Sequence, residues 1–142
     1  MTCSSTHGGP PARTELVSRE QIDLLVRRFY ERALHDSVLA PVFEVLGIVG
    51  LDEHLRVVGD FWEQILFRTT RYRGAFVPVH RALHDHHGLT PARFDRWLQL
   101  WCDSVDESFH GVDAQRAKAK AESMVTSLQR SLHGESARSA RG

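Results

Sequence analysis

The 142 residues of this chain are enough for one domain that buries a hydrophobic core, and 42% apolar and 25% charged residues are ordinary for a soluble protein. The 18 basic side chains balance 18 acidic ones, which argues against a partner bound through its phosphates, so we expect no nucleic acid partner. No apolar run approaches the roughly 20 residues of a membrane helix, and the first residues lack the apolar core of a secretory signal. We therefore expect a cytoplasmic protein with no membrane partner, in which Cys3 and Cys102 are reduced thiols.

The two ends of the chain lack the periodicity of folded elements. Residues 1–17 are rich in Ser, Thr, Gly and Pro, and residues 134–142 read GESARSARG. Segments of this composition bury too little apolar surface to fold. We predict a disordered tail at each end and one folded domain over residues 18–133.

The first predicted helix begins at Ser18, because Ser18 and Gln21 have the spacing of a capping box. Tyr30 lies at the edge of its apolar stripe. The stripe recurs with the helical period and consists of Ile22, Leu25, Val26, Phe29 and Ala33. The pattern breaks near Asp36, and a short turn through Pro41 and then a loop follow.

The second predicted helix runs from about Asp52 to about Arg68. Its core-facing side consists of His54, Val58, Phe61 and Ile65, with Leu55, Trp62 and Leu66 alongside. Gly59 lies inside this helix, where glycine costs about 1 kcal/mol relative to alanine. We expect another helix to approach closely at Gly59, since glycine has no side chain to keep it away.

The third helical segment is short. Tyr72-Arg73-Gly74 is typical of a loop, and Pro78 can begin a brief helix that contains His80. Thr90-Pro91 then predicts the start of a long amphipathic helix, because a capping hydroxyl is followed by proline at the first helical position. Its stripe consists of Phe94, Trp97, Leu98, Trp101 and Val105.

Gly111 is expected to end the long helix, and Asp113 can cap the last one. The face of the last helix consists of Ala117, Ala121, Met124, Leu128 and Leu132. No segment shows sustained strand alternation. The predicted fold class is all-α.

Nine histidines in a short chain suggest a metal or cofactor site. Residues 84–87 read HDHH, but these side chains are too close in sequence for an obvious tetrahedral zinc shell and no cysteine accompanies them, so the alternative is a solvated loop. His54 lies on a core-facing side and needs a partner there. Taken alone, His54 and His80 are each compatible with an ordinary histidine of the core or its edge.

A haem pocket would combine these residues. A haem iron needs one strong axial ligand, which imidazole supplies, while the opposite face needs hydrogen-bond donors that do not coordinate the iron. Tyr30 and His54 carry such donors. Apolar walls are available in Phe43, Val58, Phe61, Phe76, Phe94 and Trp97. Aromatic residues at this spacing are more often plain core than cofactor lining, so periodicity alone does not choose.

An ordered set of short motifs resembles a known family. These motifs are Phe29-Tyr30, Leu39-Ala40-Pro41-Val42-Phe43, His54-Leu55, Phe61-Trp62, Tyr72-Arg73-Gly74, His80 and Phe94-Asp95-Arg96-Trp97-Leu98. Over nearly all of residues 18–133 the chain resembles the truncated haemoglobins, and among them the third group. The resemblance implies a truncated globin-like two-over-two helical sandwich.

The resemblance also implies roles for individual residues. His80 is similar to the proximal ligand of the iron, and Tyr30, His54 and Trp97 are similar to the distal group that borders a bound gas. Phe43 is similar to the aromatic residue that packs on the porphyrin. The other cofactor-binding residues expected are Val58, in the apolar distal position, and Phe61, Phe76 and Phe94. Contacts to the haem propionates are not fixed by the resemblance, and Arg73, Arg81 and His84 are candidates.

The function implied is reversible binding of dioxygen or another diatomic gas at one haem b per chain. It would serve oxygen binding or transport, or the handling of nitric oxide or peroxide by nitric oxide dioxygenase- or peroxidase-like activity, with a reductase that the sequence does not identify. A second hypothesis from another class is a haem-free helical sensor or interaction domain with globin architecture.

Overall fold

The computed structural model describes residues 13–44, 50–72, 74 and 76–141, with side chains up to residue 132. These residues form, in chain order, β1 (Thr14–Glu15), α1 (Arg19–His35), α2 (Ala40–Phe43), α3 (Leu51–Phe67), α4 (Phe76–His87), α5 (Pro91–Ser108), β2 (Phe109–His110) and α6 (Val112–Arg141). None of the described helices is long and apolar enough to cross a membrane. The expectations for residues 1–12, including Cys3, and for Arg73 lie outside the described residues.

The helices stack in two layers. Helix α1 packs along α3, α5 packs along α6, and the two pairs meet with α1 against α5 and α3 against α6. This is the predicted two-over-two sandwich. Helix α4 lies at the side of the stack, against α2 and α6.

The predicted cap of α1 is confirmed. Ser18 Oγ accepts a hydrogen bond from the backbone N–H of Gln21 at 3.3 Å, and Gln21 Oε1 accepts one from the N–H of Ser18 at 3.2 Å. The predicted stripe is buried, and Tyr30 is buried with it. Since α1 starts at a fixed residue, the position of Tyr30 one and a half turns before the helix ends is fixed as well.

Gly59 lets an ion cluster form between α1 and α3. Arg19 Nη1 contacts Asp60 Oδ1 at 2.7 Å and Glu63 Oε1 at 3.2 Å, and both carboxylates are almost fully buried. A Cβ at Gly59 would lie 2.7 Å from Arg19 Nη2 and 2.7 Å from Asp23 Oδ1. The expected close approach of another helix is therefore made by the side chains of α1. This cluster fixes α3 against the helix that carries Tyr30.

The start and length of α4 differ from the prediction. The helix begins at Phe76, before Pro78, and continues through His87. Proline is tolerated in the first turn because the N–H groups there have no intrahelical partner. Residues 84–87 are therefore helical and not a solvated loop. No group of three His, Cys, Asp or Glu residues that could hold a metal ion occurs among the described residues, which include the HDHH segment.

Helix α5 starts as predicted and ends earlier. Thr90 Oγ1 accepts a hydrogen bond from the N–H of Arg93 at 3.3 Å, with Pro91 in the first turn. The helix stops at Ser108, and Phe109–His110 form a strand before Gly111, whose φ of 103° favours glycine. Helix α6 continues to Arg141, through most of the segment for which a C-terminal tail was expected.

The predicted N-terminal tail is wrong at its last residues. Thr14–Glu15 pair in parallel with Phe109–His110, and the N–H of Leu16 donates to the carbonyl of His110 at 3.2 Å. Leu16 is 0% exposed. Burial of this one leucine and the short ladder order a segment whose composition resembles a linker.

Cys102 also departs from the expectation. It is buried in α5 and takes part in a disulfide bond, so the prediction of a reduced thiol is wrong for this residue.

Candidate functional site

A cavity of about 440 Å³ lies between the helices, within the range of roughly 300–1,000 Å³ that is usual for small-molecule and cofactor sites. All nine residues expected at the site line it: Tyr30, Phe43, His54, Val58, Phe61, Phe76, His80, Phe94 and Trp97. They come from five helices, α1 to α5, and residues of α6 close the cavity. The structure thus brings together side chains that are far apart in the sequence.

Helix α4 forms one wall of the cavity. Its apolar residues recur on one face, yet none of its residues is fully buried. Phe76, Val79 and His80 turn that face toward the cavity. A helix with an apolar face normally covers it with other side chains, and here the face borders an open space large enough for a ligand.

His80 has a fixed ring orientation. Its Nδ1 lies 2.6 Å from the carbonyl oxygen of Phe76, one turn earlier in α4. A carbonyl oxygen only accepts hydrogen bonds, so Nδ1 carries the proton and the neutral ring has its lone pair on Nε2. Histidines that bind metals commonly donate their other N–H to such an acceptor. His80 is therefore held in the tautomer that can coordinate through Nε2.

Tyr30 and His54 form a polar pair on α1 and α3. The hydroxyl oxygen of Tyr30 lies 2.8 Å from Nε2 of His54, and the two rings meet edge to face with centroids 5.1 Å apart. The Tyr30 ring also contacts Phe43 edge to face, at 5.4 Å. These contacts place one hydroxyl and one imidazole at a mainly apolar cavity surface.

Trp97 belongs to an aromatic cluster under the cavity. Its ring is parallel to that of Trp101 at 6.1 Å, and Trp101 stacks on Trp62 at 4.5 Å. Phe29 packs edge to face against Trp97 at 5.7 Å. Such contacts restrict the Trp97 indole to one orientation at the cavity edge.

Two further aromatic residues of the cavity stack on each other. Phe61 of α3 and Phe76 of α4 stack with an interplanar angle of 2° and centroids 5.3 Å apart. Tyr72 meets Phe61 edge to face at 5.1 Å, and Val58 and Phe94 complete the apolar lining. An apolar lining of this kind suits a mainly apolar ligand.

Burial keeps Tyr30, His54 and His80 uncharged. Desolvation lowers the pKa of His80, although the hydrogen bond to Phe76 partly opposes it. Desolvation also lowers the pKa of His54, and the charge that His80 would carry lowers it further. Burial raises the pKa of the Tyr30 hydroxyl well above its usual value. At neutral pH the site therefore holds two neutral imidazoles and a protonated phenol.

Several cavity residues were not predicted from the sequence. Arg93 and Leu89 line the cavity near the start of α5. On α6, Met124, Val125 and Leu128 also line it. Arg93 lies one turn before Trp97, so helical spacing could have placed it on the same face. Arg81 and His84 were candidates for the propionate contacts, but they are not among the described residues that line the cavity.

Comparison with known proteins identifies the family. The chain is 30% identical over 114 residues to a group 3 truncated haemoglobin of Campylobacter jejuni, covering 73% of this chain and 85% of that protein. Its fold is similar to the crystal structure of a group III truncated haemoglobin from the same organism, with a TM-score of 0.76 and 24% identity, over 85% of this chain and 95% of the other. No family model matches the sequence.

The helix arrangement and the shared sequence together define a globin of the truncated class. This chain belongs to the truncated haemoglobins, and within them to group 3.

Proposed function

We propose that this chain binds one haem b with His80 as the axial ligand of the iron, and reversibly binds a diatomic gas such as dioxygen on the side of Tyr30, His54 and Trp97. The observation that carries the proposal is the hydrogen bond from His80 Nδ1 to the Phe76 carbonyl, which leaves Nε2 as an available metal ligand in a cavity whose polar pair is Tyr30 and His54. Membership of the truncated haemoglobins supports a haem cofactor.

The residues of the cavity fit haem in three respects. A neutral imidazole with a fixed tautomer is the donor that haem iron takes in globins. The stacked Phe61–Phe76 pair and Phe43 provide apolar surface for the porphyrin ring. The remaining polar groups, led by Tyr30, are donors of the kind that favour a partially negative ligand without replacing it on the metal.

Haem supplies a metal centre that binds a diatomic gas reversibly. The chain supplies the hydrogen bonds around that gas. When the His54 proton is on Nε2, His54 donates to the Tyr30 oxygen and the Tyr30 hydroxyl is free to donate to a guest in the cavity. When the proton is on Nδ1, Tyr30 donates to His54 instead. The tautomer of His54 therefore determines whether the Tyr30 hydroxyl can donate a hydrogen bond to the gas. Trp97 limits the space beside that ligand.

A strong donor at the distal side slows release of dioxygen, which favours chemistry over delivery. We therefore propose, beside oxygen binding and transport, the handling of nitric oxide or peroxide. Such reactions would need an outside supply of electrons, so we propose a reductase as partner. We further propose that the protein acts in the cytoplasm.

Titration of the purified chain with hemin tests the proposal. The wild-type protein should develop a Soret band of a His-ligated haem at one equivalent of hemin, and carbon monoxide should shift the band of the reduced protein. His80→Gly should lose this spectrum, and added imidazole should restore it, because the free base can occupy the position of the missing ring.

His86→Ala is the matched control, since His86 lies on the same helix, is exposed and does not line the cavity. It should bind hemin as the wild type does. A wild-type protein with no Soret band after hemin addition would refute haem binding and favour the haem-free sensor or interaction domain. An unchanged spectrum in His80→Gly would remove His80 as the ligand.

A further inference from the structure

Arg93 lies at the edge of the cavity and is held by backbone carbonyls from two other segments. Its Nε donates to the carbonyl of Val38 at 3.3 Å, before α2. Its Nη1 donates to the carbonyl of Gly88 at 2.9 Å and to that of His87 at the end of α4. The guanidinium is half-buried and lines the cavity one turn before Trp97.

All of these acceptors are neutral. Among the described residues no carboxylate forms an ion pair with Arg93, whereas Arg19, Arg56, Arg96 and Arg116 each have one. The hydrogen bonds named above use the N–H groups of Nε and Nη1, and within the described part of the chain both N–H groups of Nη2 are left for another acceptor. A guanidinium that no carboxylate of the described residues balances is well suited to a carboxylate ligand.

Among the other described residues that line the cavity, few groups could bind an anion. Glu53 is negative and is paired with Arg56 on the same helix. His54 Nε2 already contacts the Tyr30 hydroxyl, and His80 Nδ1 already donates to the Phe76 carbonyl. Arg93 is therefore the permanent cation among the described residues that line the cavity.

We propose that Arg93 binds a propionate carboxylate of the haem and so fixes which edge of the macrocycle faces the start of α5. This inference rests on the proposed haem function. It assigns to Arg93 the propionate contact for which the sequence left only Arg73, Arg81 and His84 as candidates. The carbonyl contacts hold the guanidinium in position before the ligand enters, so little side-chain freedom is lost on binding.

The test compares iron protoporphyrin IX with its dimethyl ester, which keeps the ring and iron but carries no carboxylates. The measurement is the rate of cofactor loss to an excess of a haem acceptor protein, followed by the Soret band. Wild-type protein should lose the ester roughly 10- to 100-fold faster than the diacid, which is the range for a hydrogen bond to a charged group. Arg93→Met should lose the diacid faster by a similar factor and should release the ester at the wild-type rate.

Arg93→Lys keeps the charge, so its rate of diacid loss should lie between the rates of the wild type and of Arg93→Met. Arg81→Met is the control and should lose the diacid at the wild-type rate. Equal loss of diacid and ester by the wild-type protein would overturn the inference even if Arg93→Met failed to fold. Faster loss of both cofactors by Arg93→Met would indicate a purely structural role and would overturn it too. A wild-type protein that takes up neither cofactor would instead refute the proposed function.

Discussion

Replacement of Tyr30 by phenylalanine isolates the distal hydrogen bond. The ring of Tyr30 is 6% exposed and packs edge to face on Phe43 and His54, so phenylalanine can occupy the same space and only the hydroxyl is lost. A hydrogen bond to a group with negative charge contributes about 1.5–3 kcal/mol, which corresponds to roughly 10- to 100-fold in a rate. We expect Tyr30→Phe to speed dioxygen release by that factor.

The same substitution, Tyr30→Phe, should also change the free energy of unfolding. The hydroxyl of Tyr30 lies 2.8 Å from Nε2 of His54, and its loss leaves a half-buried imidazole nitrogen without this partner. An unsatisfied buried group costs about 1–3 kcal/mol, and partial exposure favours the lower end. Tyr30→Phe should therefore lower the free energy of unfolding of the haem-free protein by about 1 kcal/mol in urea denaturation.

The assay is stopped-flow displacement of dioxygen from the reduced, hemin-reconstituted protein. Tyr72→Phe is the matched control, because the chain has two tyrosines and both line the cavity. Carbon monoxide release should change much less, since that ligand acquires little negative charge. An unchanged dioxygen rate in Tyr30→Phe, or an equal change in Tyr72→Phe, would refute the donor role.

Three further predictions concern stability. Lys118→Met removes the ammonium that lies 2.7 Å from a carboxylate oxygen of buried Asp106, and it should lower the free energy of unfolding by about 3–5 kcal/mol in urea. Much of this loss should be recovered when Asp106 is also replaced by leucine, and a loss that the double variant does not reduce would contradict the prediction. Burial alone would raise the pKa of Asp36, but hydrogen bonds, chiefly from a guanidinium on α5, lower it below its ordinary value of 3.8. The carboxylate therefore stabilises the fold at pH values above 3.8, and this contribution is lost as the pH falls through the pKa of Asp36 in the folded protein. Thermal melts should show Asp36→Asn less stable than wild type at pH 7, with the difference closing as the pH falls through the folded pKa of Asp36, and a constant difference would count against it. Gly59→Ala should lower the free energy of unfolding by about 1–3 kcal/mol, because the methyl group displaces Arg19 from its buried partners. Helix propensity alone would favour alanine by about 1 kcal/mol. A variant that is more stable than the wild type in the same urea assay would contradict this prediction.

The starts of α1 and α5 could be predicted from the sequence because their signals are local. Ser18 with Gln21, and Thr90 with Pro91, each satisfy free N–H groups within one turn, and no distant residue is needed. The expected cavity residues were chosen by combining helical period with a family resemblance. Period alone placed Phe61 on a face and could not say whether that face meets a cavity or a neighbouring helix.

The features that escaped prediction depend on contacts between distant segments. Asp60 and Glu63 are charged residues on a buried face, and they are stable there because Arg19 reaches them from another helix. The role of Arg93 at the cavity depends on carbonyls from residues 38, 87 and 88, which only the fold brings together. Composition and helical period do not indicate such pairings between distant segments.

The short ladder between β1 and β2 has a practical consequence for anyone who prepares this protein. A recombinant version trimmed to begin at Ser18, where the first capping signal lies, would discard Leu16 and leave a gap in the buried core, to which Phe109 also belongs. Leucine truncations of this kind cost about 2–5 kcal/mol, a large share of the margin that keeps a small domain folded. Affinity tags and fusion partners are best joined upstream of residue 13, so that the strand can still dock.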